Sequence, residues 1–175
     1  MKYRQLIKAA KQHLQSNPVY VTGMGRVFNN GGEWMRQRLS ELRGSDIKIN
    51  NAIPYAGYGL AKYIICGLVF IGSIAWLSSI SFWLLPVSVI VFYVVEIHFL
   101  FLFPLLIDKM ENPVLESIRL TYRAGFGKTL ITVMPIGIYM MAGLFDLKDP
   151  LKNWHIGCLA VLIWYEQETG NRKRS

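Results

Sequence analysis

The chain has 175 residues, a formal net charge of +8, 53% hydrophobic residues and a mean hydropathy of +0.30. Its first third is polar, so the apolar residues are concentrated behind it, which excludes an ordinary soluble domain and predicts an all-α polytopic membrane protein. The positive charge lies beside the apolar segments, where anionic headgroups would be, so a lipid bilayer is the expected partner and nucleic acid is not.

Met1 to Gln15 places Tyr3, Leu6, Ile7, Ala10 and Leu14 on one helical stripe, with Lys2, Arg4, Lys8 and Lys11 on the remaining surface. Such a basic amphipathic helix suits a membrane surface, a partner's groove, or packing on its own protein. It lacks the continuous apolar run of a signal peptide, so the first hydrophobic span is expected to direct insertion. Asn17-Pro18 should end the helix, and the Gly- and Asn-rich stretch Val19 to Gly32 reads as loop. Glu33 to Arg43 then sets Met35, Leu39 and Leu42 on one face of a second short helix. Gly44 to Tyr58 is turn-like, and residues 1–58 are taken together as a cytoplasmic segment.

Four membrane spans are predicted within residues 59–166, at about 60–77, 82–107, 126–145 and 151–165. Lys62 sits near the start of the first, where its long side chain can snorkel. Ser78 to Ser81 makes an uncharged turn. The second span, FWLLPVSVIVFYVVEIHFLFLFPLLI, carries only Glu96 and His98 as ionisable groups, and Pro104 predicts a kink. Asn112-Pro113 begins a short interfacial helix that ends at Gly125. Asp149-Pro150 precedes the fourth segment, whose Trp154, Trp164 and Tyr165 fit an aromatic belt; its length is marginal, so re-entry is the alternative. Nine Lys and Arg precede Leu60, four lie in 108–128, and Arg172, Lys173 and Arg174 close the basic tail 167–175. The Ser78–Ser81 turn has none. This bias predicts both termini in the cytoplasm, with a bacterial inner membrane as the default location.

Glu96 is the most informative residue, since an ionised carboxylate in mid-span costs about 3 kcal/mol. It should be neutral or paired, with Tyr93, Tyr139 or Cys158 as candidate hydrogen-bond partners. His98, about 200° around the same helix, cannot share its face. A lone intramembrane imidazole can ligate a pigment or haem, and no metal-ligand spacing accompanies it; no resident cofactor is predicted. Cys66 and Cys158 read as small buried hydrophobes. Gly125-Phe126-Gly127-Lys128-Thr129 ends like a P-loop, but Tyr122 stands where the first glycine is required. Lys109, Arg119, Arg123 and Lys128 are expected at the headgroups, with Asp108, Glu111 and Glu116 among them. Glu96, Tyr93 and these four cations form the predicted partner- or lipid-contacting set.

No catalytic constellation can be assembled at one depth. The leading functional expectation is therefore a non-enzymatic accessory subunit or assembly factor of a larger membrane complex. A lipid-handling enzyme with a cytoplasmic interfacial site at Asp108, Glu116, Arg119 and Arg123, with Glu96 as an optional addition, is the first alternative. A pigment or haem carrier using His98 is the second.

Overall fold

A computed structural model describes residues 2–16, 27–47, 53–146, 149 and 151–172. They form eight α-helices and no strand: α1 (Tyr3–Ser16), α2 (Val27–Arg43), α3 (Tyr55–Ile80), α4 (Leu85–Glu96), α5 (Leu102–Ile107), α6 (Pro113–Ala124), α7 (Phe126–Gly143) and α8 (Lys152–Arg172). Three stretches are long and apolar enough to cross a membrane: 55–80, 82–107 and 126–143. The predicted helix end at Asn17-Pro18, residues 19–26 of the predicted loop, Pro150 and Lys173 to Ser175 lie outside the described residues. Residues 27–32, expected as loop, are helical. Gly32 lets the Tyr55 ring close on this helix, because a Cβ there would stand 2.8 Å from it.

The core is built around α8. Its Leu159, Ala160, Leu162, Trp164 and Tyr165 are 1% exposed or less, and α1, α2 and α7 all pack on it. The apolar stripe of α1 is consumed there: Leu6 and Ala10 are fully buried and Leu14 nearly so. Of the three uses open to this stripe, packing on its own protein is the one observed. α1, α2 and α7 cover α8, so it is not an isolated apolar span. Its helix also runs past Tyr165 into polar sequence. The aromatic-belt reading is corrected in the same way. Trp164 stacks edge-on against Phe101 and donates its indole N–H to Glu168 at 3.0 Å, and the Tyr165 hydroxyl donates inward to Asp108.

α3 and α4 form an antiparallel hairpin closed by Ser81 and a 3₁₀ turn over Phe82–Leu84. The hairpin is nearly bare: only 11% of the most apolar 18-residue window of α3 is buried within the chain. Ser73, Ser78, Ser79 and Ser88 each donate their hydroxyl to the backbone carbonyl three residues back, which satisfies these four donors within their own helices.

The predicted second span does not continue as one helix. α4 stops at Glu96, a 3₁₀ turn covers Ile97–Phe99, and α5 begins only at Leu102. The expected kink at Pro104 is thus a break just before it. Pro104 falls in the first turn of α5, where its missing N–H costs little. The break exposes backbone groups, and α6 supplies partners for them. Thr121 Oγ1 donates to the Ile97 carbonyl at 2.8 Å, and Ser117 Oγ accepts from the Phe101 N–H at 3.2 Å. Both hydroxyls are fully buried. α6 is therefore a packing helix as well as an amphipathic one. Gly125 ends it as expected, at φ +94°, a backbone state that L side chains rarely adopt.

Thr121→Val keeps the side-chain shape and removes the donor to Ile97. It should cost about 1–3 kcal/mol, whereas Thr121→Ser should cost far less. Denaturant unfolding in detergent, followed by circular dichroism, would read the difference.

Candidate functional site

The helix break swings α5 across α2 and α6, and this brings charged side chains from three distant stretches together. Arg43, the last residue of α2, meets Asp108 just beyond α5 with two parallel hydrogen bonds of 2.7 and 2.9 Å. The same guanidinium reaches Glu166 of α8 at 2.6 and 2.9 Å. Tyr165 donates its hydroxyl to Asp108 at 2.6 Å. Arg43, Asp108 and Glu166 are each about a quarter exposed, so water screens the cluster only in part. The fork geometry of arginine suits two carboxylates at once. Hydrogen bonding to Asp108, and then to Glu166, holds the guanidinium protonated well above the usual arginine range.

Beside this cluster lies a cleft of about 340 Å³, between α5, α6 and α8. Leu105, Met110 and Leu120 give it an apolar floor, while Asp108, Glu116, Arg123, Tyr165 and Thr169 line its polar side. The structure thus brings together three of the four residues expected at an interfacial site. The fourth, Arg119, points to solvent and pairs with Glu116 at 2.7 Å. Arg123 is exposed at the cleft. Lys109 sits on the turn after α5 in the left-handed region, at φ +56°. Lys128 approaches Glu168 of α8 at 3.8 Å. As an acid–base centre the cleft is poorly equipped. Both Asp108 oxygens are already engaged by Arg43 and Tyr165, so little acceptor capacity remains for a substrate proton.

Glu96 is paired, as one of the two expectations for it required, but its partner is Lys62 at 3.3 Å. Lys62 does not snorkel outward; it is 8% exposed and lies between α3 and α4. Tyr93, expected to help Glu96, instead packs into the backbone of α7, where a methyl group on Gly137 would overlap its phenol. His98 stands between Tyr122 and Phe126. Its Nδ1 lies 2.8 Å from the Val94 carbonyl and so carries the hydrogen, which leaves Nε2 to accept from the Tyr122 hydroxyl at 3.4 Å. His155 is 6% exposed and meets the Trp34 ring edge-on.

Sequence reasoning missed Arg43, Tyr165, Glu166 and the role of Lys62. For Lys62 a signal existed: positions 62 and 96 are near mirror images about the predicted Ser78–Ser81 turn, so a hairpin must bring them level. For the others there was none, since contacts across 65 and 123 residues depend on tertiary packing. No family model, curated protein or solved structure matches this chain.

Arg43→Met should destabilise the fold by about 2–3 kcal/mol, because two carboxylates then face each other without their cation. The sign of the Arg43 shift sets its pH behaviour. A raised folded-state pKa means the stabilisation is complete below the ordinary arginine range and is lost only as pH rises beyond it. The difference in midpoint between wild type and variant should therefore stay constant from neutral to mildly alkaline pH. Lys62→Met alone should cost about 3 kcal/mol, and adding Glu96→Met should recover most of that, since the pair is then replaced by apolar side chains. A double-mutant cycle by denaturant unfolding checks this.

Proposed function

We propose that this protein is a non-enzymatic accessory subunit or assembly factor of a larger membrane complex, with the α3–α4 hairpin as its inserted element. The observation that carries the proposal is the bare hairpin. Leu60, Ile64, Leu68, Ile71, Trp76, Ile80, Phe82 and Trp83 are 50–89% exposed, so this surface needs lipid or other helices to cover it. Open space above Gly67 and Gly72 of α3 would let a second helix approach closely, which favours a protein partner for part of that surface. The occupied carboxylate of Asp108 weighs against the enzymatic alternative. The cleft beside it supports a lipid-contacting role for Arg123 in the same framework.

The charges of α1 limit how deep the protein sits. Lys11 lies 5.1 Å from the Tyr139 ring of α7, and Lys8 and Arg4 are exposed alongside. A bilayer enclosing α7 and α8 from end to end would draw these cations to hydrocarbon depth, at about 3 kcal/mol each. The reading that accommodates them replaces four full spans. The level of Tyr139, Gly137 and Tyr93 is at the membrane surface, and the hairpin beyond Tyr93 reaches in by about 16 Å, roughly half the hydrocarbon core. α1, α2, α6 and α8 then cap it. The Lys and Arg bias supports a cytoplasmic cap in an inner membrane.

A photoreactive amino acid at Leu68 or Ile71 should give a crosslink to protein of defined mass in native membranes, whereas at buried Ile97 it should give none. Crosslinks to lipid alone would remove the subunit reading. Trp83→Cys should resist an impermeant maleimide applied from either side, and labelling from the far side would show a full crossing.

A further inference from the structure

A second groove lies on the opposite flank, between α1 and α7, with a volume of about 310 Å³. Its lining is Tyr3, Arg4, Ile7, Lys8, Lys11 and Tyr139: three cations, two phenols, one aliphatic side chain and no carboxylate. Among the described residues no acid stands within ion-pair distance of Arg4, Lys8 or Lys11. Elsewhere Arg36, Arg38, Arg43, Lys62 and Arg119 are paired with carboxylates, while Lys2, Lys109, Arg123 and Lys152 form no ion pair among the described residues; the groove differs in gathering three such cations on one wall. The geometry of the groove is organised. Arg4 Nε donates to the Tyr3 hydroxyl at 3.1 Å, and Lys11 is held over the Tyr139 ring. α1 is fixed on α8 through Leu6, Ala10 and Leu14, so its cations are presented from a seated helix rather than a free one.

From this we propose that the α1–α7 groove binds the phosphoryl headgroup of an anionic phospholipid. Arg4, Lys8 and Lys11 supply the positive field, and the Tyr139 hydroxyl supplies a neutral hydrogen-bonding group. The volume is at the small end of ligand sites, roughly 300–1,000 Å³, which suits a headgroup rather than a whole lipid. A lipid rather than a soluble phosphate is indicated by what borders the groove. Next to Tyr139 on α7, Ile138 and Met141 are 60% and 51% exposed, so acyl chains have an apolar surface to follow directly from the cations. This inference rests on the membrane reading above and adds a site to it: α1 holds the bilayer by its charged edge, because its apolar edge is already buried.

The test uses the full chain in a non-ionic detergent, with phosphatidylglycerol or phosphatidylcholine added, and native mass spectrometry to count retained lipid. Wild type should retain phosphatidylglycerol in preference to phosphatidylcholine. Lys8→Gln with Lys11→Gln should lower that retention roughly ten- to thirtyfold, as expected for removing two headgroup cations. Lys2→Gln with Lys152→Gln, which removes equal charge outside the groove, should leave it unchanged. Equal losses in the two double variants, or equal retention of both lipids, would overturn the proposal. Displacement of phosphatidylglycerol by soluble glycerol phosphate at the same concentration would overturn the assignment to lipid. If the groove variant loses helix, amine-reactive footprinting of wild type decides instead: phosphatidylglycerol should protect Lys8 and Lys11 and phosphatidylcholine should not, and equal labelling in both would refute the site. Because lipid retention is read in detergent, its failure is separable from failure of hairpin insertion, which the Trp83→Cys labelling reports.

Discussion

Where α4 stops at Glu96, the backbone must change direction inside apolar surroundings, and every polar group released there needs a partner. Two buried hydroxyls on α6 meet that demand, Thr121 at the Ile97 carbonyl and Ser117 at the Phe101 N–H. Much else depends on this repair. It lets α5 leave the line of the hairpin and pack on α2 and α6, and it places Asp108 under Arg43 and beside Tyr165. A continuous helix from Phe82 to Ile107 would carry Asp108 away from both. The residues that look most uniformly apolar in the chain thus contain the bend on which the charged cluster is built.

The two ion clusters hold different joints. Lys62 and Glu96 tie the base of the hairpin, where both side chains are largely withdrawn from water and neither tolerates the loss of the other. Arg43 joins α2 to the turn after α5 and to α8, and it does so as a fork that engages two carboxylates. Asp108 spends most of its acceptor capacity in that joint, which leaves little of it for the nearby cleft. The charges of Arg43, Asp108 and Glu166 are thus used to assemble the fold.

The amphipathic helices and the hairpin divide the remaining surfaces between them. α1 and α2 turn their apolar sides inward onto α8; the cations of α1 face outward, whereas Arg36, Arg38 and Arg43 of α2 are largely buried in ion pairs. α3 and the first half of α4 do the reverse and expose their apolar side chains. A protein with one bare apolar hairpin and a charged cap has a defined way to sit at a bilayer, set by which groups tolerate hydrocarbon and which do not.

Helical periodicity, glycine and proline punctuation and the run of hydropathy were enough to place α1, α3, α6 and α7 and to single out Glu96 as needing an explanation. These properties are local: each depends on residues within a few turns of one another. The sequence alone also showed that residues 151–165 are apolar. It did not show what covers them, because lipid and the side chains of α1 and α2 satisfy the same apolar surface equally well. The onset of α2 was hidden by Gly31 and Gly32, which locally read as loop, although the space left at Gly32 is filled by the distant Tyr55 ring. The break after Glu96 was hidden because its stabilising hydroxyls lie 16 to 24 residues further along the chain. Arg43, Asp108 and Glu166 were each visible as charged residues, yet only the folded chain brings them within hydrogen-bond distance. Local sequence therefore determined which segments are helical and which are apolar; tertiary packing decided which of those apolar faces meet protein, and hence which are left for the membrane.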